Sequence, residues 1–383
     1  MKNLFNICAF VFALVLISTT SCRRVETKSD TKLKVGVFDK NGDSPWCIED
    51  AIQALKIDPS IDCEVIRASQ IVSDEILDFD AIVFPGGSGR SETQSLGESG
   101  MDRVVQLVKD KGIAVVGICA GAYIMSNTPD YPCLKLTGFE AIDIEHDHRG
   151  HGLAKFSLSE EGKKIFPELA NRDISFCQYY EGPVLISAND EVEKTDLGTM
   201  LSDVHTVEGS PADMTNNRPF IVSAKLGKGK VASFVGHPEC TPGMRWMLPR
   251  IIRWATNSEM ISYPKSVVRP DFFKNEIIYT KDIQDLQTKY YSNLSGTKEE
   301  KLEAIDKVIE LACWSSKKWI PGMLRDKDAD VRAKASRAIV LLERTDALPD
   351  LEMAVVNEKN DDCKKQLQTS LQDLKLILGK NRK

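Results

Sequence analysis

Ten residues, Ile113 to Ala122, force a local shape on this chain that few folds can accommodate. Ile113-Ala114-Val115-Val116 is a short, continuously apolar run and reads as a buried strand. Gly117-Ile118-Cys119-Ala120-Gly121 follows at once, and then Tyr123-Ile124-Met125 begins a helical stretch. Strand, tight turn, cysteine at the apex, helix: this is the geometry of a nucleophile elbow. Glycines and small residues let the backbone pass close to a side chain held in a strained turn. A nucleophilic cysteine needs a base, and the base an orienting carboxylate. The strand Val231–Gly236 supplies both, because His237-Pro238-Glu239 stands at its end. Extended backbone would point His237 and Glu239 to the same side, and Pro238 biases His237 toward such geometry.

The rest of the first 258 residues alternates strands and helices. Strands are expected at 33–38, 63–66, 79–84 and 113–118, with helices at 47–55 and 101–109 between them. Pro85-Gly86-Gly87-Ser88-Gly89 forms a glycine-rich loop after the third strand. This rhythm predicts an α/β fold with a doubly wound, flavodoxin-like, mostly parallel sheet. Sites in such sheets lie beyond the carboxyl ends of the strands, which selects the loops 39–46, 85–90 and 117–121. From 134 to 230 the segments shorten, as at 183–186 and 219–226, and predict an antiparallel extension. A helix over 246–255 closes the domain at residue 258.

The two ends are different. Lys2 precedes an unbroken apolar run from Ile7 to Ile17, too short to span a bilayer, so residues 1–21 read as a signal peptide. Small residues leading directly into Cys22 resemble a bacterial lipobox, with Thr19 where that pattern usually has leucine. The resemblance implies acylation of Cys22, a tether over 22–32 and a cell-envelope lipoprotein facing the periplasm or exterior. At the other end, 259–280 is a linker carrying Pro264 and Pro270. Residues 281–383 then take on a helical apolar period. Thr297-Lys298-Glu299-Glu300 is a capping box. The face Val331, Ala335, Ile339 and Leu342 recurs as Cys363, Leu367, Leu371 and Leu374, and more weakly near Ala304, Val308 and Leu311. That spacing suggests a small all-α domain of paired helices, and Asp328-Ala329-Asp330-Val331-Arg332 resembles the second-helix signature of HEAT repeats. An irregular helical bundle is the alternative. Such a domain offers a binding face for a protein partner. A net charge of −6 argues against a nucleic-acid partner.

Taken together, the elbow and the His-Pro-Glu resemble the class I glutamine amidotransferase-like superfamily. Pro85-Gly86-Gly87, Gly117–Tyr123 and Tyr179-Tyr180-Glu181-Gly182-Pro183 look most like the N-terminal domain of biotin-protein ligases. The resemblance covers residues 33–258 and implies that Cys119 is the nucleophile, His237 the base and Glu239 the orienting carboxylate. It also implies an oxyanion hole built from the backbone N–H groups of Ala120 and Gly87. One position departs. Amidotransferases that hydrolyse glutamine usually carry Gly-x-Cys-x-Gly-x-Gln, and Tyr123 stands at the glutamine position. No synthetase or biotin-transferring domain follows, so neither glutamine amidotransfer nor biotin ligation is expected.

Arg90, Tyr123, Tyr180 and Glu181 are candidates for the pocket wall, with Arg90 suited to bind a carboxylate. His146, Asp147, His148 and His151, with Glu145, crowd one loop. A metal site needs three or four convergent ligands, which alternation along a loop does not provide. No metal and no cofactor are expected. Cys47 and Cys240 are candidates for a disulfide within reach of Cys119. Two functions follow: a thiol hydrolase or acyltransferase acting on an amide or ester, or a scaffold with an idle elbow that recruits a partner through its helical end.

Overall fold

The computed structural model describes residues 32–189, 191–274, 277–278, 280–311 and 319–379. The signal segment, Cys22, the tether up to Thr31 and Cys313 lie outside the described residues. Among the described residues no helix is long and apolar enough to cross a membrane.

Twelve strands are described. They are β1 (Leu33–Phe38), β2 (Ile61–Ile66), β3 (Ala81–Phe84), β4 (Ala114–Ile118), β5 (Phe139–Ala141), β6 (His151–Leu158), β7 (Ser175–Tyr180), β8 (Leu185–Ser187), β9 (Glu193–Met200), β10 (Pro219–Leu226), β11 (Gly229–Phe234) and β12 (Ile277–Ile278). Ten of them form one sheet in the order β12-β6-β9-β10-β11-β4-β3-β1-β2, with β7 also pairing β6. The half containing β2, β1, β3, β4 and β11 is parallel. The other half is antiparallel. Parallel strands need long crossovers, and helices Pro45–Leu55 and Gly89–Gln106 provide them on either face. β3 and β4 are buried at every position, which is why their sequences are apolar runs rather than alternations.

Register decides where the site falls. Phe84 and Ser233 both pair with Gly117, and Phe234 pairs with Ile118. The chain therefore leaves β3, β4 and β11 at one level. The glycine loop, Cys119 and His237 are delivered to the same edge, beyond the carboxyl ends of the strands.

Several elements differ from their sequence expectation. The helix expected at 101–109 begins at Gly89, straight out of the glycine loop. Ser88 caps it by accepting a hydrogen bond from the Ser91 N–H, 3.2 Å away. The first turns are polar and small, so no apolar period announces them, and Gly97 breaks the helical backbone with φ 63°. β6, β7 and β9 were not legible, because the apolar run of each is broken by charged or polar residues. The segment at 183–186 contributes to a separate two-stranded sheet, β8 against β5, rather than to the main one.

Among the described residues the helices Lys281–Asn293, Lys298–Glu310, Ala329–Leu341, Leu348–Asn357 and Asp361–Ile377 follow. The capping box at Thr297 and Glu300 is formed in both directions. These helices pack on the α/β part rather than standing clear of it. One apolar cluster runs from Val35 and Phe234 through Trp246, Ile251 and Tyr263 into Leu348, Leu351 and Leu374. Tyr263, within the segment 259–280, donates its hydroxyl to Asp58, 2.9 Å away, beside the Arg253–Asp58 ion pair. Within 259–274 the buried residues are Tyr263, Val267 and Phe273, so the segment docks at those points.

Candidate active site

The elbow has the strain its sequence requires. Cys119 sits at φ 52° and ψ −100°, immediately before the helix Ala120–Met125. That backbone region disfavours any residue carrying a Cβ, so the fold has to hold it. It is held from both sides. The Cys119 N–H donates to the Phe234 carbonyl at 2.9 Å, and the Cys119 carbonyl accepts from Ala122 at 2.9 Å and Tyr123 at 3.1 Å. The flanking glycines are steric necessities. A Cβ on Gly121 would collide with the Phe84 carbonyl, and one on Gly117 would lie 2.6 Å from the Gly121 carbonyl carbon. The thiol is 6 % exposed, and its Sγ lies 3.3 Å from the Tyr180 carbonyl oxygen.

His237 faces it. The imidazole Nδ1 is 2.7 Å from Glu239 Oε1, and both side chains are almost wholly buried. Cys119 is the other group close enough to act on the ring electrostatically. Burial alone would push His237 down. The Glu239 carboxylate and the Cys119 thiol outweigh it and hold the imidazole well above its ordinary range. The route to this geometry differs from the expected one. Pro238–Cys240 is a 3-10 turn and not an extended segment. Proline presets a helical φ at the first position of such a turn, and the turn swings Glu239 back beneath the ring. The His237 main chain is fixed separately, its N–H donating to Gln178 at 2.7 Å and its carbonyl accepting from Thr241 Oγ1 at 2.6 Å.

The glycine loop is held from below by a residue the sequence reading passed over. Lys40 is buried at the end of β1 and donates from Nζ to the Gly86 carbonyl. In a planar trans peptide the N–H points opposite to the carbonyl, so the Gly87 N–H is turned away from Lys40. Lys40 Nζ also lies 3.8 Å from Glu92 Oε1, with both side chains fully buried. Burial pushes the Glu92 carboxyl up to about 8, against the pull of Lys40 and with a further push from Asp43. Because the folded value lies above the ordinary 4.5, the stability tied to Glu92 is whole below about pH 4.5 and is lost as pH rises toward 8. Glu92→Gln is expected to flatten that decline, by on the order of a few kcal/mol at pH 8. Thermal unfolding followed from pH 5 to pH 8 checks it, and parallel curves for variant and wild type would refute it.

Tyr123, offered as pocket wall, has its hydroxyl committed to Asp143. Asp143 also pairs with the buried Arg149 at 2.7 Å, and Arg149 donates from Nε to the Tyr179 hydroxyl at 2.8 Å. The Tyr123 ring still lines the pocket, as do Tyr180 and Glu181. Tyr180 stacks on His151 with ring centroids 4.7 Å apart, and burial pushes His151 down to about 4. Glu181 meets His148 at 2.5 Å. The crowded histidine loop therefore disperses: His148 to the rim, His151 into β6, and the His146 carbonyl to Arg149 at 2.5 Å. Arg90 is exposed on the rim. Of these, Arg90, Tyr123, His148, Tyr180 and Glu181 line one cavity of about 1070 Å³, together with Trp46, Cys47, Gly87, Cys119 and His237. Cys47 lies on this wall, and Cys240 is directed to Gln178 Oε1 at 3.9 Å and to the His237 carbonyl at 3.6 Å. No disulfide joins Cys47 and Cys240 or any other pair of the described cysteines. Sequence reasoning misses Trp46 on the wall and the buried Lys40, Glu92, Asp143 and Arg149 behind it, since a single charged or aromatic residue in sequence carries no sign of what it will pack against.

A half-parallel α/β sheet with a strained cysteine elbow facing a His-Glu pair defines the α/β part as a class I glutamine amidotransferase-like domain. Two curated relatives are pyridoxal 5'-phosphate synthase subunits PdxT. That of Picrophilus torridus is 28% identical over 127 residues, 32% of this chain and 62% of that protein. That of Methanococcoides burtonii is 25% identical over 170 residues, 43% and 72% respectively. The chain thus spans less than two thirds of the first relative's length. Among solved structures, the glutaminase domain of Trypanosoma brucei CTPS aligns with a TM-score of 0.40 and 13% identity, over 61% of this chain and 97% of that one. More narrowly, residues 33–136 match the family described as "Biotin-protein ligase, N terminal", and this stretch of the chain belongs to it.

Proposed function

We propose that this protein is a cysteine-dependent hydrolase or acyltransferase acting on an amide or ester. The observation that carries the reading is the strained Cys119 elbow, which shares one cavity wall with an imidazole that a buried carboxylate holds at 2.7 Å. In the proposed reaction the Cys119 sulfur attacks the substrate carbonyl carbon while its proton rests on His237. The C–O double bond opens to an oxyanion, which the N–H groups of Gly87 and Ala120 receive. His237 returns the proton to the leaving amine or alcohol, whose bond to carbon breaks to give an acyl thioester. Water, or a second nucleophile deprotonated by His237, then releases the acyl group. Glutamine is not the substrate favoured here, because the position that usually carries glutamine holds Tyr123, whose hydroxyl is committed to Asp143.

The test is competitive labelling of the native chain with limiting iodoacetamide, read thiol by thiol by mass spectrometry. Cys119 is expected to react at least about tenfold faster than Cys63, whose thiol burial pushes up to about 11. Equal rates would instead support the other reading, a binding module with an idle elbow.

A further inference from the structure

The carboxylate of the proposed triad is not held by its own domain alone. Glu239 lies in the turn Pro238–Cys240, and its carbonyl accepts a hydrogen bond from Arg245 Nε at 2.8 Å. Arg245 is buried, and its fork points on into the helical C-terminal part. Nη1 donates to the Glu343 carbonyl and to Thr345 Oγ1, the latter at 3.2 Å. Glu343 grips the same loop a second time, since its buried carboxylate accepts from the Gly243 N–H at 2.8 Å and from Arg269 at 2.7 Å. The neighbouring Arg344 reaches Asp50 on the helix Pro45–Leu55 at 3.6 Å. Glu343 adopts φ 52°, so the chain after the helix Ala329–Leu341 is bent into a left-handed turn where it enters the α/β part. Strained backbone persists where its surroundings over-determine it, and here the surroundings are the loop that carries Glu239.

We propose that Glu343 and Thr345 are positioning residues for Glu239 and His237, Thr345 acting through Arg245 and the Glu343 carboxylate through Gly243, so that the helical part completes the site. The inference rests on the triad reading above. Its logic is geometric. Glu239 and Gly243 bracket a turn of five residues, and the turn is pinned at both ends by one segment from outside the α/β part. Without that segment Arg245 and the Gly243 N–H lose their acceptors, Arg245 is no longer fixed beneath the Glu239 carbonyl, and the carboxylate is free to leave the imidazole.

The readout is the titration of His237 in the full chain, followed by NMR with ¹⁵N-labelled histidine. There are five histidines, and His237→Gln assigns the signal. The titratable and charged groups around the pair are Cys119, Tyr180, Cys177, Cys240 and Arg245. All of them remain in the variants, and the Glu343 carboxylate beside Arg245 is absent from both Glu343→Ala and Glu343→Gln, so the difference between those two reports movement of Glu239. Glu343→Ala is expected to lower the His237 midpoint by about one pH unit, a tenfold loss of proton affinity. Glu343→Gln keeps an acceptor for Gly243 and should restore most of it. Thr345→Val removes one acceptor at similar volume and should move the midpoint a smaller distance the same way. Folded variants with the wild-type midpoint overturn the proposal, even if they melt earlier. Failure of both Glu343→Ala and Thr345→Val to fold also overturns it, since the contact then serves folding alone. If His237 shifts as expected while wild-type Cys119 labels no faster than Cys63, the latch stands and the enzyme reading falls.

Discussion

Glutamine in place of His237 is expected to slow alkylation of Cys119 by about 100-fold at pH 6.5, and by only a few-fold at pH 9.5. The size follows from the ionised fraction of the nucleophile. An unassisted thiol with a pKa of ~8.5 is about 1 % thiolate at pH 6.5, and only the thiolate reacts. In the wild type the imidazole is buried, which opposes its charge, yet Glu239 and Cys119 hold it well above the ordinary range. It therefore keeps its proton to higher pH than an ordinary histidine does, and a cation close to sulfur favours the thiolate. Above that raised range the imidazolium is lost and the advantage with it, so the two profiles converge at high pH. Rate constants for iodoacetamide from pH 5.5 to pH 9.5, with circular dichroism to confirm folding, decide the matter. A variant that matches the wild type at pH 6.5 would falsify the ion pair.

The second large effect comes from a residue with no side chain. Gly86→Ala is expected to cost at least about tenfold in Cys119 alkylation at pH 6.5, although Cys119, His237 and Glu239 are all retained. A Cβ on Gly86 would lie 2.5 Å from His237 Cε1 and 3.3 Å from Nδ1. The ring cannot step back as a unit. Its main chain is tied to Gln178 at 2.7 Å and to Thr241 at 2.6 Å. What remains is rotation about the side chain, which draws Nδ1 off Glu239. Overpacking of this kind costs typically 1–3 kcal/mol of stability, so the fold should survive while the imidazole is displaced. Gly322→Ala is the control, because an added Cβ there meets nothing within 4 Å. Unchanged alkylation in Gly86→Ala would mean that the loop gives way and the ring does not.

What the sequence exposes here is local steric logic. Gly117 and Gly121 are legible because the backbone of a neighbouring strand or turn forbids a Cβ there, and that constraint leaves a mark on residue type. The apolar runs of β3 and β4 are legible because both faces are covered. The parallel register then carries the loops after β3, β4 and β11 to one edge. Pairings between distant polar residues leave no such mark. Lys40 and Glu92 look like surface charges in sequence, and only the fold shows them buried together. Glu343 and Arg344 read as the solvated end of a helix, yet they point inward. The turn at Pro238 was misjudged as extended for a related reason, since proline suits both a strand end and the first position of a helical turn.

The members of this site are scattered along almost the whole chain. Lys40 stands near its start, Cys119 and Tyr180 lie between, and His237 and Glu343 come late. Contacts of such long sequence separation form slowly, because loop closure must precede them. The strained backbone of Cys119 has no support until β11 is paired beside it, and Glu239 has none from Arg245 until the turn at Glu343 is seated. On the reading proposed above, chemical competence is thus a late event in folding. An unfinished or partly unfolded chain carries Cys119 as an ordinary thiol, and reactivity of that one sulfur becomes a gauge of whether the molecule is complete.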